Sequence, residues 1–410
     1  MNHIKTNPHT VVDLFCGAGG LSLGFQRAGF SVLKAVDAWK AAVDTYSANL
    51  GDHVSLEDIS QTTKLPQATV FTGGPPCQGF SSAGRRQEDD HRNSLVSAYA
   101  LLIAEHRPKA FIFENVEGFL TGCEGKFIFE LLDKVIDAGY RVHLRKINAA
   151  HFGVPQHRKR VIAIGGLGWD PTFPTITHNA FGAPGAELDN RFSGPSTPTL
   201  WDAIGTLPSA VPRGLETSDE DHTYNQLAGD DLARARLLGE GQCMKDLPEE
   251  LWHDSYKRRA NRRVQDGTPT ERRGGAPAGV RRLKSDEPSK AITGGAMRDF
   301  LHPQEDRTLT IRECALLQTF PLNYKFRGTR ADRVQLIGNA VPPLLAEVIA
   351  QRILRDLIAN QSIETKKGGL LSFQPTSSLG MSPLLDRITK EVKQRYLSKP
   401  TLERQLALWD

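Results

Sequence analysis

Five short apolar runs alternate with helix-compatible segments through the first 165 or so residues, and this rhythm constrains the fold more than any other feature of the chain. The runs are residues 10–15 (TVVDLF), 31–36 (SVLKAV), 68–71, 110–113 (AFIF) and 161–165 (VIAIG). Between them lie helix-compatible residues 21–28, a helix after Asp37 reaching about Asn49, residues 94–106, and the amphipathic stretch 126–138. Strands alternating with helices argue a parallel sheet covered on both faces, an α/β fold of Rossmann-like type. From about Trp169 to Pro288 the rhythm is lost, and the chain reads as loop-rich with short elements. Regular structure resumes at 310–319 and in the strong helix pattern 342–358. A Gly/Ser/Pro-containing link at 366–382 and a helix at 383–397 follow.

Composition narrows the class. The 410 residues leave room for two or three domains, and 24% charged with 39% hydrophobic residues describes an ordinary soluble globular protein. The formal net charge of +4 says little, but its distribution says more. Residues 216–254 carry eleven Asp/Glu against three Lys/Arg, whereas residues 255–284 carry ten Lys/Arg against two Asp/Glu. A basic block broken by Gly, Thr and Pro suits phosphate contacts; the alternative is a solvated face balancing its acidic neighbour. Five cysteines without a CxxC pair indicate neither a disulfide framework nor a zinc site, and no metal is expected. The start MNHIKTNPHT has no apolar signal core, and no run of about 18 apolar residues occurs. An intracellular, reducing compartment without membrane contact is the expectation.

Three constellations carry chemistry. Residues 73–82 (GGPPCQGFSS) place Cys77 directly after two prolines on a glycine-flanked loop. Pro75 and Pro76 fix φ near −65° and restrict the residue before each, so covalent geometry sets the direction of the thiol. A thiol is intrinsically very nucleophilic and needs little activation, although a cysteine in a turn is more often structural. The second constellation is DLFCGAGGLSLGF (13–25), where Gly17, Gly19 and Gly20 open a helix directly after a strand. With Asp37 at the end of the next strand to take ribose hydroxyls, it marks a nucleoside cofactor. These two features alone suit a nicotinamide dinucleotide first. The third pairs Glu114-Asn115-Val116, at the end of a strand, with Gln156-His157-Arg158-Lys159-Arg160, at the start of another. A carboxylate leaving a buried strand is expected to be desolvated and suited to giving a proton; the alternative is a helix N-terminal charge. Gln156, Arg158 and Arg160 alternate along an extended backbone as planar donors for phosphate or carbonyl oxygens.

Together these motifs resemble those of the cytosine-5 DNA methyltransferases of prokaryotic restriction-modification systems. DLFCGAGGLSLGF is similar to that family's S-adenosylmethionine loop, GGPPCQGFS to its nucleophile loop, and ENV and QHRKR to its base-contacting motifs. RTLTIRECALLQTFP (307–321) and LIGNAVPP (336–343) complete six blocks in family order. The resemblance implies a DNA (cytosine-5-)-methyltransferase that flips its target base, with Cys77 attacking carbon 6, Glu114 at ring nitrogen 3 and the amine, and Arg160 at the carbonyl oxygen and a phosphate. Arg158 and Gln156 are grouped with these as catalytic residues, Arg158 supporting the loop. It implies S-adenosyl-L-methionine held by Phe15, Gly17, Gly19, Gly20, Leu21, Asp37, Ala38, Asp58, Ile59, Pro76, Leu95, Asn339 and Val341. Asp37 is shorter than the glutamate common there. Ala38 stands where some members stack an aromatic on the adenine, with Trp39 one position later.

DNA contacts are expected from Gln78 and Ser81 and from the basic block through Arg258, Arg259, Arg262, Arg263, Arg272, Arg273, Arg281 and Arg282. The implied organisation is a catalytic and cofactor-binding domain at 1–168, a target-recognition domain at 169–330, a returning segment at 331–358 and a C-terminal extension at 359–410. That extension is expected to face solvent, with the DNA backbone as the alternative. A cytoplasmic, nucleoid-associated monomer acting on double-stranded DNA, paired with a restriction endonuclease, completes the expectation. A transfer-RNA-methylating relative and a catalytically silent DNA-binding relative are the alternatives.

Overall fold

The computed structural model describes residues 9–60, 63–76, 94–183, 186, 193–257, 279–359, 366–376 and 381–397. Cys77, Gln78, Ser81, Arg258, Arg259, Arg262, Arg263, Arg272 and Arg273 lie outside these residues. The first apolar run forms β1 (Thr10–Leu14), followed by α1 (Gly20–Arg27), β2 (Ser31–Asp37), α2 (Lys40–Leu50), β3 (Val54–Leu56) and β4 (Val70–Gly73). Then come α3 (Ser94–His106), β5 (Ala110–Asn115), α4 (Lys126–Asp137), β6 (Tyr140–Asn148) and β7 (Lys159–Leu167). Near the C-terminus lie α5 (Pro343–Ala359), β8 (Gly369–Gln374) and α6 (Pro383–Tyr396). One sheet holds all eight strands in the order β8-β6-β7-β5-β4-β1-β2-β3. Val12, Leu14, Phe71, Phe111 and Phe113 are fully buried in it, together with Ile103 of α3 and Leu131 of α4.

The sheet is not wholly parallel. β1, β2, β3, β4 and β5 pair in parallel, whereas β7 runs antiparallel to β5 with Asn115 opposite Val161 and Glu114 opposite Ile162. Only residues 149–158 separate β6 from β7, and they contain a 3-10 turn rather than an α-helix. Parallel neighbours need a crossover of a dozen or more residues, so β7 returns in the opposite direction. This reversal brings the start of β7 to the carboxyl end of β5.

The chain divides into two compact units: residues 1–147, 159–175 and 346–410 form one, and residues 148–158 and 176–345 the other. The divisions expected above fell at 169 and 331. The described part of the C-terminal extension keeps a solvent-exposed face but also joins the main core. β8 pairs in parallel with β6, and Ile388 and Val392 of α6 are fully buried in the main core. A composition rich in Gly, Ser and Pro concealed a strand with two inward residues, Leu370 and Phe373.

The second unit is built from short elements held by buried arginines. Arg307 pairs with Glu313 at 2.7 Å and with Glu305 at 3.0 Å. Arg282 donates to the carbonyls of Leu238, His302, Glu305 and Ala235 and to the Asp306 carboxylate. The expectation that Arg282 contacts DNA is therefore corrected. A guanidinium enclosed by backbone oxygens is a structural tie and offers no donor to a phosphate. Arg281, beside it, is half-buried.

Candidate active site

The glycine loop between β1 and α1 turns tightly through left-handed conformations at Phe15 (φ 59), Gly17 (φ 53) and Gly19 (φ 82). A side chain at Gly17 would meet nothing within 4 Å, so the loop backbone has an open side there. Asp37 fixes the loop from the end of β2. One carboxylate oxygen accepts the Gly17 N–H at 2.8 Å and the other accepts the Trp39 N–H at 2.9 Å. Burial raises its pKa, and these backbone donors oppose the shift. Each oxygen keeps a further lone pair for a ligand hydroxyl. An open loop backbone beside an acid fits the ribose and methionine ends of a nucleoside sulfonium. Ile59 is buried, Asp58 and Ala38 are exposed, and Pro76 and Leu95 are half-buried in the same unit. Gly20 and Leu21 are buried in the first turn of α1.

Beneath the loop lies a residue whose role sequence reasoning missed. Asp13 is fully buried, and its Oδ2 accepts both the N–H and the hydroxyl of Ser22, at 3.1 and 2.6 Å. The Tyr46 hydroxyl donates to Ser22 and lies 3.0 Å from His53 Nε2. Burial pushes the Asp13 carboxyl up to about 7, against the two Ser22 hydrogen bonds. Its Oδ1 is enclosed without a partner. Between about pH 4 and pH 7 the unfolded chain releases this proton while the folded one retains it, so stability falls as pH rises through that window. Asp37 acts in the same direction. Asp13→Asn should flatten the decline in thermal midpoint between pH 5 and pH 8, an effect on the order of 1–4 kcal/mol. An unchanged slope would show that Asp13 is ionised throughout.

The second cluster forms at the carboxyl ends of β4 and β5. Glu114 lies inside β5, not at a helix start, and is buried. A Cβ placed on Gly74 would lie 3.1 Å from Glu114 Oε2, so the start of the cysteine loop runs directly against this carboxylate. The Asn115 side-chain amide donates to the Pro75 carbonyl at 3.3 Å, tying strand end to loop. Arg160 Nε lies 2.8 Å from Glu114 Oε1, and both side chains are largely buried. Burial lowers the pKa of the Arg160 guanidinium, and Glu114 opposes that shift. Arg160 reaches Glu114 because β7 is antiparallel: in a parallel sheet the start of β7 would sit at the far edge.

Gln156 and Arg158 point elsewhere. Both are fully buried in the second unit. The Gln156 amide donates to the Leu317 carbonyl and Gln318 and accepts from the Ile292 N–H. Arg158 donates to the carbonyls of Ile292, Gly338 and Ala340 at 2.8 Å. Expected as catalytic groups, both instead make these hydrogen bonds to other groups of the protein. In one unbroken strand residues 156, 158 and 160 would share a face, but the strand is interrupted at Arg158, and Arg160 belongs to the first unit. Asn339 is exposed and Val341 buried in the second unit.

The family model described as C-5 cytosine-specific DNA methylase matches residues 9–355. The chain belongs to the C-5 cytosine-specific DNA methylases. This methylase is 35% identical over 359 residues to the Type II methyltransferase M1.HphI of Haemophilus parahaemolyticus, covering 84% of this chain and 87% of that one. It is 33% identical over 428 residues to the Type II methyltransferase M.AgeI of Thalassovita gelatinovora, covering 83% and 98%. Its fold matches the crystal structure of an E. coli prophage protein described as a DNA modification methyltransferase, with TM-score 0.62, 24% identity, and 86% and 100% coverage. The glycine loop and strand-end acid that on their own suited a nicotinamide dinucleotide thus belong to a DNA methyltransferase. Among the described residues no helix is long and apolar enough to cross a membrane.

Proposed function

We propose that this methylase methylates carbon 5 of a cytosine rotated out of duplex DNA, within a specific sequence, as the modification partner of a restriction endonuclease. Relatives named as Type II methyltransferases support the pairing. The observation that carries the chemistry is the convergence at Glu114, with the start of the cysteine loop on one side and Arg160 on the other. Extrusion is required because carbon 6 is unreachable within the base stack.

Cys77, as thiolate, forms a bond to carbon 6 of the extruded base. As that bond forms, the 5,6 π bond opens and negative charge moves towards ring nitrogen 3, to which Glu114 gives a proton or a hydrogen bond while it also contacts the amine. Arg160 holds Glu114 in place and offers its remaining donors to the carbonyl oxygen. Phe15, Gly17, Gly19, Gly20, Leu21, Asp37, Ile59, Pro76 and Leu95 would hold S-adenosylmethionine, with Ala38 and Asp58 at the adenine edge and Asn339 and Val341 on the returning segment. Bound there, it supplies an electrophilic methyl group on a sulfonium. Water, acting as base, takes the carbon-5 proton; the electrons of that C–H bond re-form the 5,6 double bond and Cys77 leaves as thiolate. Gln78, Ser81 and the basic run 258–273 would meet the DNA.

Incubation with tritiated S-adenosylmethionine and either duplex DNA or transfer RNA tests the reading. Label in 5-methylcytosine of the DNA is expected, and bisulfite sequencing then gives the recognised site. Label confined to transfer RNA, or absent from both, would overturn it.

A further inference from the structure

The family match ends at residue 355, yet the residues beyond it complete the unit that holds Glu114. β8 extends the sheet past β6, and the Ser372 hydroxyl lies 2.7 Å from His143 Nδ1 and accepts from Arg145 at 3.0 Å. α6 lies on the segment that leads from β5 to α4. There Cys123 (φ 42, ψ 50), Glu124 (φ 56, ψ 28) and Gly125 (φ 88, ψ 2) are left-handed in succession. Two of them carry side chains, and such residues persist there only where the surroundings impose the conformation.

α6 supplies those surroundings. A Cβ on Gly125 would lie 3.0–3.1 Å from three carbons of Ile388, so this fully buried side chain seats directly on the turn. Cys123 packs against the same cluster, and Arg387 pairs with Glu124 at 3.0 Å. That ion pair is largely exposed and contributes little. Ile388 therefore carries the contact.

Between this turn and Glu114, short-range hydrogen bonds hold residues 115–121. The Thr121 N–H donates to Gly118, the Phe119 N–H to Val116, and the Val116 N–H to the Asn115 side chain. Phe119 also packs on Phe113 of β5, with ring centroids 5.0 Å apart. Asn115 in turn holds the Pro75 carbonyl at the start of the cysteine loop.

We propose that residues 366–397 are a positioning element for methyl transfer, in which Ile388 holds the left-handed turn 123–125 and thereby the end of β5 against the cysteine loop. The inference rests on Glu114 acting as proposed above. It assigns a role in the reaction to a segment beyond the family match.

A graded series in the full chain tests it: Ile388→Val, Ile388→Ala and, as control on the exposed face of α6, Lys390→Ala. Steady-state rates are measured well below each variant's unfolding midpoint, with amide hydrogen exchange on the same samples. Ile388→Ala should lower kcat about tenfold or more with KM for DNA within about twofold, because small misplacements of reacting groups are costly in rate. Ile388→Val should fall between it and wild type, and Lys390→Ala should match wild type. Exchange should accelerate at 116–125 and not in β1 or β4. A kcat within about twofold of wild type in Ile388→Ala, or exchange rising evenly through the sheet, would reduce the segment to a stabilising one. If Ile388→Ala does not fold, Ile388→Val decides by the same two readouts. Glu114→Gln assayed in parallel separates the failures: wild-type rate there overturns the role of Glu114, whereas loss there alone overturns only this inference.

Discussion

Cys77→Ala should abolish methyl transfer, a loss on the order of 10⁴-fold or more, while binding of duplex DNA and of S-adenosylmethionine should persist. The size follows from the chemistry. Carbon 5 of cytosine is a poor nucleophile until a thiolate adds to carbon 6, so no residual pathway of comparable rate remains. The other cysteines do not offer a substitute. Cys16 and Cys314 are buried, and burial pushes both thiols above their ordinary range, away from the reactive thiolate. Cys243 lies in the second unit, and Cys123 sits in the turn held by α6. Transfer of tritium from the methyl donor measures the loss, and a filter-binding assay measures retained DNA affinity. A duplex carrying 5-fluorocytosine at the recognised site should trap wild type as a covalent adduct and leave the variant free. Activity within about tenfold of wild type would remove Cys77 from the reaction.

Much of the fold was legible because it rests on local rules. Residues 94–106 were expected as a helix and form one over that span, and the apolar runs at 10–15, 31–36 and 110–113 became β1, β2 and β5. The direction of β7 was not legible. Its run VIAIG is as apolar as a parallel strand, and only the short connection 149–158 distinguishes the two cases. β6 did carry a readable pattern, since Tyr140, Val142 and Leu144 alternate with half-buried residues, but charged residues between them masked it. Arg160 lies beside Glu114 in the first unit, whereas Gln156 and Arg158, which share its motif, belong to the second. That Arg158 and Gln156 are tied to Ile292 depends on contacts more than 130 residues apart, which no local motif reveals. Asp13 was passed over for a related reason. It was read as the first letter of a glycine motif, although its burial follows from its place in a strand at the centre of the sheet.

Glu114→Gln should lower kcat by a factor on the order of 10²–10³ with a smaller change in KM for DNA. The substitution keeps shape and an acceptor oxygen but removes the capacity to give or take a proton. Two effects compete in interpreting it. Arg160 loses the counter-charge of a largely buried pair, and breaking such a pair by removing one partner costs up to about 3–5 kcal/mol of stability. The retained amide oxygen still lies within reach of Arg160, so the cost should fall near the lower end of that range. If Glu114 served only to hold Arg160, activity would follow stability and recover on cooling below the variant's unfolding midpoint. If it meets the charge developing on the base, kcat stays depressed at every temperature where the protein is folded. The two are separated by measuring kcat against temperature beside urea unfolding, with Arg160→Lys as a second probe. Arg160→Lys keeps the charge opposite Glu114 and loses the planar donors, so it should preserve more stability than Glu114→Gln while weakening KM for DNA. Recovery of the full wild-type kcat by Glu114→Gln at low temperature would leave the carboxylate a structural partner of Arg160 and nothing more.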